Sequence, residues 1–167
     1  VERASVYAGD VGVVGSPVRI IEVTGAGAGY SVQTFAREGV DVALSAEYVC
    51  ALVNADASGT PGRFAACGDR SGDVLDDLTV GGAALVADEI GLCGRRAIAL
   101  APDGMLYEAD LSQGREAVAV QLAEDFALGN GLDVDGDGTP DTCLVAMRTL
   151  ETDLSGDPAA VGNRDLD

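Results

Sequence analysis

Residues 40–52 read Val40-Asp41-Val42-Ala43-Leu44-Ser45-Ala46-Glu47-Tyr48-Val49-Cys50-Ala51-Leu52. Val40, Val42, Leu44, Ala46, Tyr48, Cys50 and Leu52 fall at every second position, with Asp41, Ser45 and Glu47 among the residues between them. Successive side chains of a strand point to opposite faces, so this alternation predicts one long strand with one side on a core. The same strand character recurs at 18–23, 30–35, 97–100, 105–111, 117–122 and 143–147. Pro102, Asp103 and Gly104 supply a tight turn that makes a hairpin of 97–111. Further glycines at Gly9, Gly12, Gly15, Gly59, Gly62, Gly81 and Gly82 keep the segments short. The expected fold is all-β, a β-sandwich of the jelly-roll or immunoglobulin-like kind with about eight to ten strands. At most two short helices are expected, around 73–78 and 122–128.

The chain has 167 residues. It reads as a single domain over 1–167, long enough to bury about 70% of the surface its unfolded form exposes. Aromatic residues make up only 4%, so Val, Ala, Leu and Ile must fill the core. The small, polar segment 54–62 contains Pro61 and reads as a loop or subdomain boundary. Residues 1–14 are strand-like but interrupted by Gly9 and Gly12. They form either the first strand of the chain's own sandwich or an arm donated to a neighbour's sheet. Residues 152–167, rich in Asp, Gly and Pro, read as an acidic surface tail. No repeat of fixed period is visible.

There are 28 acidic and 10 basic residues, for a net charge of −18, and all the basic residues are arginine. Nucleic acid and anionic membranes are therefore poor partners. No apolar stretch is long enough to insert in a bilayer as a helix. The absence of histidine removes Ser-His-Asp and Cys-His catalysis and the common zinc sites. The absence of lysine removes Schiff-base chemistry and Walker A phosphate binding. Asp76, Asp77, Asp88, Glu89, Glu108 and Asp110 are available as carboxylate pairs for glycoside hydrolysis, but nothing singles out two of them.

Residues 133–143 read Asp-Val-Asp-Gly-Asp-Gly-Thr-Pro-Asp-Thr-Cys. Calcium takes six to eight oxygens at about 2.3–2.6 Å. Asp133, Asp135 and Asp137 stand at loop positions 1, 3 and 5, with Gly138 at the bend. The carbonyl of Thr139 and the carboxylate of Asp141, direct or through water, extend the set. Leu144 replaces the bidentate glutamate of an EF-hand, and Pro140 suits neither flanking helix. These eleven residues resemble the calcium loops of thrombospondin type 3 repeats and, more loosely, those of dockerins and other secreted bacterial modules. The resemblance implies an extracellular structural Ca2+, with Cys143 tethering the loop by a disulfide. The missing ligand falls to Asp153, another distant carboxylate or water.

Cys50, Cys67, Cys93 and Cys143 are even in number and too widely spaced for a zinc ribbon, which suits two disulfides in an oxidising compartment. Three pairings exist. Cys50 with Cys67, closing a short hairpin-like loop, and Cys93 with Cys143, anchoring the calcium segment, form the preferred one. Val1 opens the chain without Met or a basic leader, as expected of a mature secreted or cell-surface protein.

A second glycine cluster, Thr24-Gly25-Ala26-Gly27-Ala28-Gly29-Tyr30, resembles the dinucleotide fingerprint of short-chain dehydrogenases. The third glycine position holds Tyr30 or Ser31, and the lysine of that family's Tyr-x-x-x-Lys pair is missing. A glycine turn between two strands is the preferred reading. The functional expectation is a non-enzymatic subunit of an extracellular filament, pilus or surface layer, associating with copies of itself. The alternative is a calcium-dependent module binding a cell-surface glycan, with Tyr30, Tyr48 or Tyr107 clustered near the ion.

Overall fold

A computed structural model describes residues 4–7, 10–13, 17–23, 30–130, 143–148, 150–152, 158–160 and 164–166. The described residues are all-β and contain no helix. β1 (Ala4–Tyr7), β2 (Asp10–Val13), β3 (Arg19–Val23) and β4 (Tyr30–Thr34) form one antiparallel sheet in chain order. β5 (Gly39–Leu44), β6 (Tyr48–Ala55), β7 (Pro61–Asp69) and β8 (Asp76–Asp77) form a second. β9 (Thr79–Val80) and β10 (Ala83–Ala84) make a small ribbon between it and the third sheet. That third sheet comprises β11 (Glu89–Cys93), β12 (Arg96–Leu100), β13 (Met105–Asp110) and β14 (Val118–Leu122). The last sheet has the order β15 (Asp125–Asn130), β16 (Cys143–Arg148), β19 (Arg164–Leu166), while β17 (Leu150–Thr152) pairs with β18 (Pro158–Ala160).

The long strand expected over 40–52 is instead the β5–β6 hairpin, turning at Ser45, Ala46 and Glu47. Ser45, which alternation placed outward, is 2% exposed. Its backbone N–H donates to the Tyr48 carbonyl at 3.0 Å, and its hydroxyl accepts the Tyr48 N–H at 3.2 Å. A short hydroxyl side chain that satisfies local backbone groups favours a turn over an extended run. Ala46 and Glu47 at the turn are exposed, as is Val40.

One buried side also proves too few. Val42, Leu44, Val49, Ala51 and Val53 pack with Val18, Ile20 and Phe35 of the first sheet side. Cys50, Leu52, Ala65 and Cys67 point the other way and pack with Ile90, Leu92 and Ala97 of the third sheet. The opposite face of that sheet carries Ile98, Leu100 and Leu106 against Phe126, Leu128 and Val145 of the last one. Apolar clusters therefore join successive sheets, and both inner sheets contribute residues to a cluster on either side.

Glycine permits this close approach. A Cβ at Gly91 would lie 2.5 Å from Leu128 Cδ1 and 2.8 Å from Phe126 Cε2. Backbones come near one another where a strand carries no side chain.

Other expectations fare as follows. Residues 73–75 are irregular chain leading into β8, which occupies 76–77, and 122–128 span the end of β14 and most of β15, so neither is helical. Strands number nineteen among the described residues, not eight to ten. Segment 54–62 is the tip of the β6–β7 hairpin and divides no subdomains. β1 and β2 pair within the chain's own first sheet, and β19 of the expected tail pairs with β16. β3 and β4, flanking the glycine cluster, pair antiparallel from Arg19↔Thr34 to Val23↔Tyr30, which is a hairpin rather than a nucleotide-binding crossover.

Gly91→Val should overpack this interface and lower the unfolding free energy by about 1–3 kcal/mol. Urea denaturation checks it; an unchanged midpoint would mean that the third and last sheets do not meet there.

Candidate functional site

Asp133, Asp135, Asp137, Thr139 and Asp141 lie outside the described residues. The strands that flank them in sequence, β15 and β16, pair in unbroken register from Asp125↔Arg148 to Asn130↔Cys143. Among the described residues, no cluster of acidic or cysteine side chains is arranged to hold a metal ion.

The tip of the β6–β7 hairpin is described in full. Asp56-Ala57-Ser58-Gly59-Thr60-Pro61 matches Asp135-Gly136-Asp137-Gly138-Thr139-Pro140 in its Asp, Gly, Thr and Pro, and Asp153-Leu154-Ser155-Gly156-Asp157-Pro158 keeps the same Asp, Gly and Pro positions. Ala55↔Pro61 and Thr152↔Pro158 are equivalent register pairs, so proline opens the returning strand in both described hairpins. A search for fixed period misses this string because its copies are unevenly spaced. The shared Asp-x-(Ser or Asp)-Gly-x-Pro pattern was the signal available in the sequence.

In the Asp56 loop the carboxylate is the hub. Asp56 Oδ1 accepts the Ser58 N–H at 2.9 Å, the Ser58 hydroxyl at 2.7 Å and the Thr60 N–H at 2.8 Å. The Asp56 N–H donates to the Thr60 carbonyl at 3.1 Å, closing the tip. Gly59 takes φ +86°, a conformation glycine adopts without a Cβ penalty. The Ser58 hydroxyl, then the Thr60 N–H, hold the Asp56 carboxyl below its ordinary pKa. A single carboxylate here is satisfied by the loop's own donors.

The loop is tied to the body by a half-buried ion pair. Asp77 Oδ2 accepts the Ala57 N–H at 2.7 Å, and Asp77 Oδ1 lies 2.6 Å from Arg37 Nη1. The latter contact is coulombic, without hydrogen-bond alignment. Arg37 also donates to the carbonyls of Leu75, at 3.0 Å, and Ala55. One guanidinium thus joins the end of β6, the β7–β8 connection and the acidic side chain beneath the loop.

Several of the other carboxylates weighed in sequence stand beside arginines. Asp88 stands 3.5 Å from Arg63, Glu108 meets Arg96, and Asp110 stands 3.4 Å from Arg95 while accepting the Ser112 hydroxyl at 2.6 Å. The Ser112 hydroxyl is the main cause that lowers the Asp110 pKa. Tyr48 and Tyr107 pack against the core between the second and third sheets and form no exposed platform.

Cys50 and Cys67 are bonded, directly opposite one another on β6 and β7 with Cα atoms 4.1 Å apart. Both are fully buried. Cys93 is also disulfide-bonded. The side chain of Cys143, its expected partner, lies outside the described residues, although the backbone places Cys143 at the start of β16 in the sheet next to β11.

Comparison with protein-family models, curated proteins and solved structures finds no match.

Two outcomes test this site. Because the Asp56 pKa is depressed, its contribution is present above the ordinary carboxyl range and is lost as pH falls through the folded value. Amide-exchange protection at Ser58 and Thr60 should therefore fall in acid, and Ser58→Ala should move that loss to higher pH. An NMR titration reads both, and identical profiles would remove the hydroxyl from its role. Replacing Cys50 and Cys67 together by alanine should cost about 3 kcal/mol in a urea melt, the expected loop-entropy contribution for a bridge of 17-residue separation.

Proposed function

We propose that the protein is a calcium-stabilised, disulfide-bonded structural module of an extracellular assembly, such as a filament, pilus or surface layer, and not an enzyme. The observation that carries the reading is the comparison of loops 54–62 and 133–141. The second replaces Asn54 by Asp133, Ser58 by Asp137 and Gly62 by Asp141. Ser58 is the strongest donor to the central carboxylate in the first loop. Exchanging it for a carboxylate removes a donor and adds an acceptor, and two further carboxylates join it. Four like charges at one tip repel unless a cation gathers them. Short carboxylates in alternation with a glycine bend favour a hard, oxygen-seeking ion, Ca2+.

The disulfides support an oxidising compartment. The lack of histidine and lysine supports a non-catalytic role. The packing of half-buried Tyr48 and Tyr107 against the core weakens two of the three stacking candidates of the glycan-binding alternative.

The test is thermal unfolding with calcium or with a chelator. At calcium one hundred times its dissociation constant, the wild type should gain about 2.7 kcal/mol over the chelated protein. Asp135→Ala with Asp137→Ala should melt at one temperature in both conditions. Equal melting of the wild type with and without calcium would sink the calcium reading.

A further inference from the structure

Among the described residues, β14 ends the third sheet and pairs on one side only, with β13. Just before it, the Ala117 N–H donates to the Thr79 carbonyl at 2.7 Å and the Thr79 N–H to the Arg115 carbonyl at 2.8 Å, so β9 meets the chain there. Just beyond it, the Ala123 N–H donates to the Gly104 carbonyl at 2.7 Å. Between these ties, Val118-Ala119-Val120-Gln121-Leu122 is an open edge, and an edge presents N–H and C=O groups to which another strand can pair. The run contains no charge, proline or glycine, the usual safeguards of an edge. Val118, Val120 and Leu122 are three of the seven large apolar residues exposed among the described residues, so that kind of surface is concentrated here. One safeguard is present: the register with β13 shifts at Leu106/Tyr107 and leaves Val120 without a partner there. Such a bulge shortens the ladder that an added strand can form, and side chains must supply the rest of the binding.

The C-terminal end of β14 opens on a cleft of about 700 Å³. Leu122 and Ala123 line it with Leu100, Ala101 and Pro102. Its charged lining is wholly acidic: Asp88, Glu89, Asp103 and Glu124. Two of these carboxylates already stand beside guanidinium groups, Asp88 at 3.5 Å from Arg63 and Glu124 at 3.3 Å from Arg148. Both pairs are exposed to solvent, where an ion pair is weakly held and readily exchanged for another cation.

An open apolar edge that runs into an acidic cleft fits an extended segment that is apolar along its length and cationic at one end. A second copy of this chain is a poor source, because it brings a net charge of −18 against the same charge. We propose that β14 accepts an extended segment of a basic partner protein as an added strand, with apolar side chains against Val118, Val120 and Leu122 and an arginine or lysine beside Leu122 set into the acidic cleft. In strand addition the main-chain hydrogen bonds supply affinity and the side-chain pockets supply selectivity. The contact goes beyond the calcium reading and does not depend on it.

An NMR titration of the full chain with the blocked peptide Arg-Thr-Val-Thr-Val-Thr tests it. The amide signals of 118–122 and of Gly104 and Glu124 should move. A peptide with glutamate in place of arginine should bind about tenfold more weakly, the scale of one charge-assisted contact. Asp103→Asn with Glu124→Gln should remove most of that difference, the asparagine keeping the oxygen that accepts the Met105 N–H. Val120→Lys, at an exposed position, should lose both peptides, and a melt equal to the wild type excludes misfolding. The peptide Arg-Thr-Pro-Thr-Pro-Thr, which lacks the strand donors, should not bind to any form of the protein. Amides of 118–122 that stay still in excess peptide, or that move equally with the proline peptide, overturn the strand addition. A preference for arginine that survives Asp103→Asn with Glu124→Gln traces it to net charge and overturns the cleft. Shifts at 118–122 that grow with protein concentration before peptide is added make a second copy the occupant and overturn the basic partner.

Discussion

The β6–β7 ladder sends Val49, Ala51, Val53 and Ala66 into one core and Cys50, Leu52, Ala65 and Cys67 into another. The layers on either side are positioned by this double burial, which β12 repeats with Ala97 and Ala99 in one core and Ile98 and Leu100 in the next. A strand covered on both faces has no solvent to satisfy its backbone, so every peptide group must be paired in the ladder. β6 meets this requirement by lying between β5 and β7. The Cys50–Cys67 bond adds a covalent tie between opposed positions at the centre of the ladder. Alanine and glycine suit such a stack because thin layers let neighbouring sheets approach, and this explains how a chain with 4% aromatic residues fills three interfaces.

The acidity acquires a local explanation from the turns. Asp56, Asp110 and Glu116 each accept a hydroxyl and at least one backbone N–H, and in each the hydroxyl is the first cause of a lowered pKa. Glu116 takes the Thr79 hydroxyl at 2.5 Å and the Gly81 N–H at 2.6 Å, tying the β9–β10 ribbon to the chain before β14. Carboxylates here do what capping groups do elsewhere: they satisfy donors that short strands leave over. Arginines reciprocate on carbonyls, as Arg115 does with Cys67 and Leu111 at 3.2 and 3.1 Å. Many of the charges are therefore engaged with backbone at turns, and the fold tolerates an excess of acid without a matching number of ion pairs.

Strand positions were legible where polar residues alternate or a turn is chemically marked. The hairpin over 97–111 is present, with Gly104 at φ +80° and Asp103 Oδ1 accepting the Met105 N–H at 2.9 Å. The Cys50–Cys67 pairing was also legible from spacing. What misled was the run from Val40 to Leu52. Its alternation continues through Ser45-Ala46-Glu47 as though no turn intervened, and periodicity has no term for a serine whose hydroxyl replaces a ladder partner. Residues 49–53 are likewise apolar at consecutive positions, which signals two-sided burial, yet the polar Asp41 and Glu47 nearby favoured a one-sided reading. The order in which successive sheets stack depends on contacts distant in sequence, and no local pattern encodes it.

The repeated hairpin tip links architecture to the proposed chemistry. Its turn is specified by an aspartate, a glycine and a proline that opens the next strand, and these are present at Asp56, Gly59 and Pro61 whatever occupies the remaining positions. With serine at the fifth position, as at Ser58, the central carboxylate is stabilised by a hydroxyl donor 2.7 Å away. An aspartate there, as at Asp137, offers no such hydroxyl donor, and on the proposed reading a cation takes its place beside the carboxylates. The proposed reading thus turns on which side chains are set into a shared sequence frame, while the strands that flank it need not change.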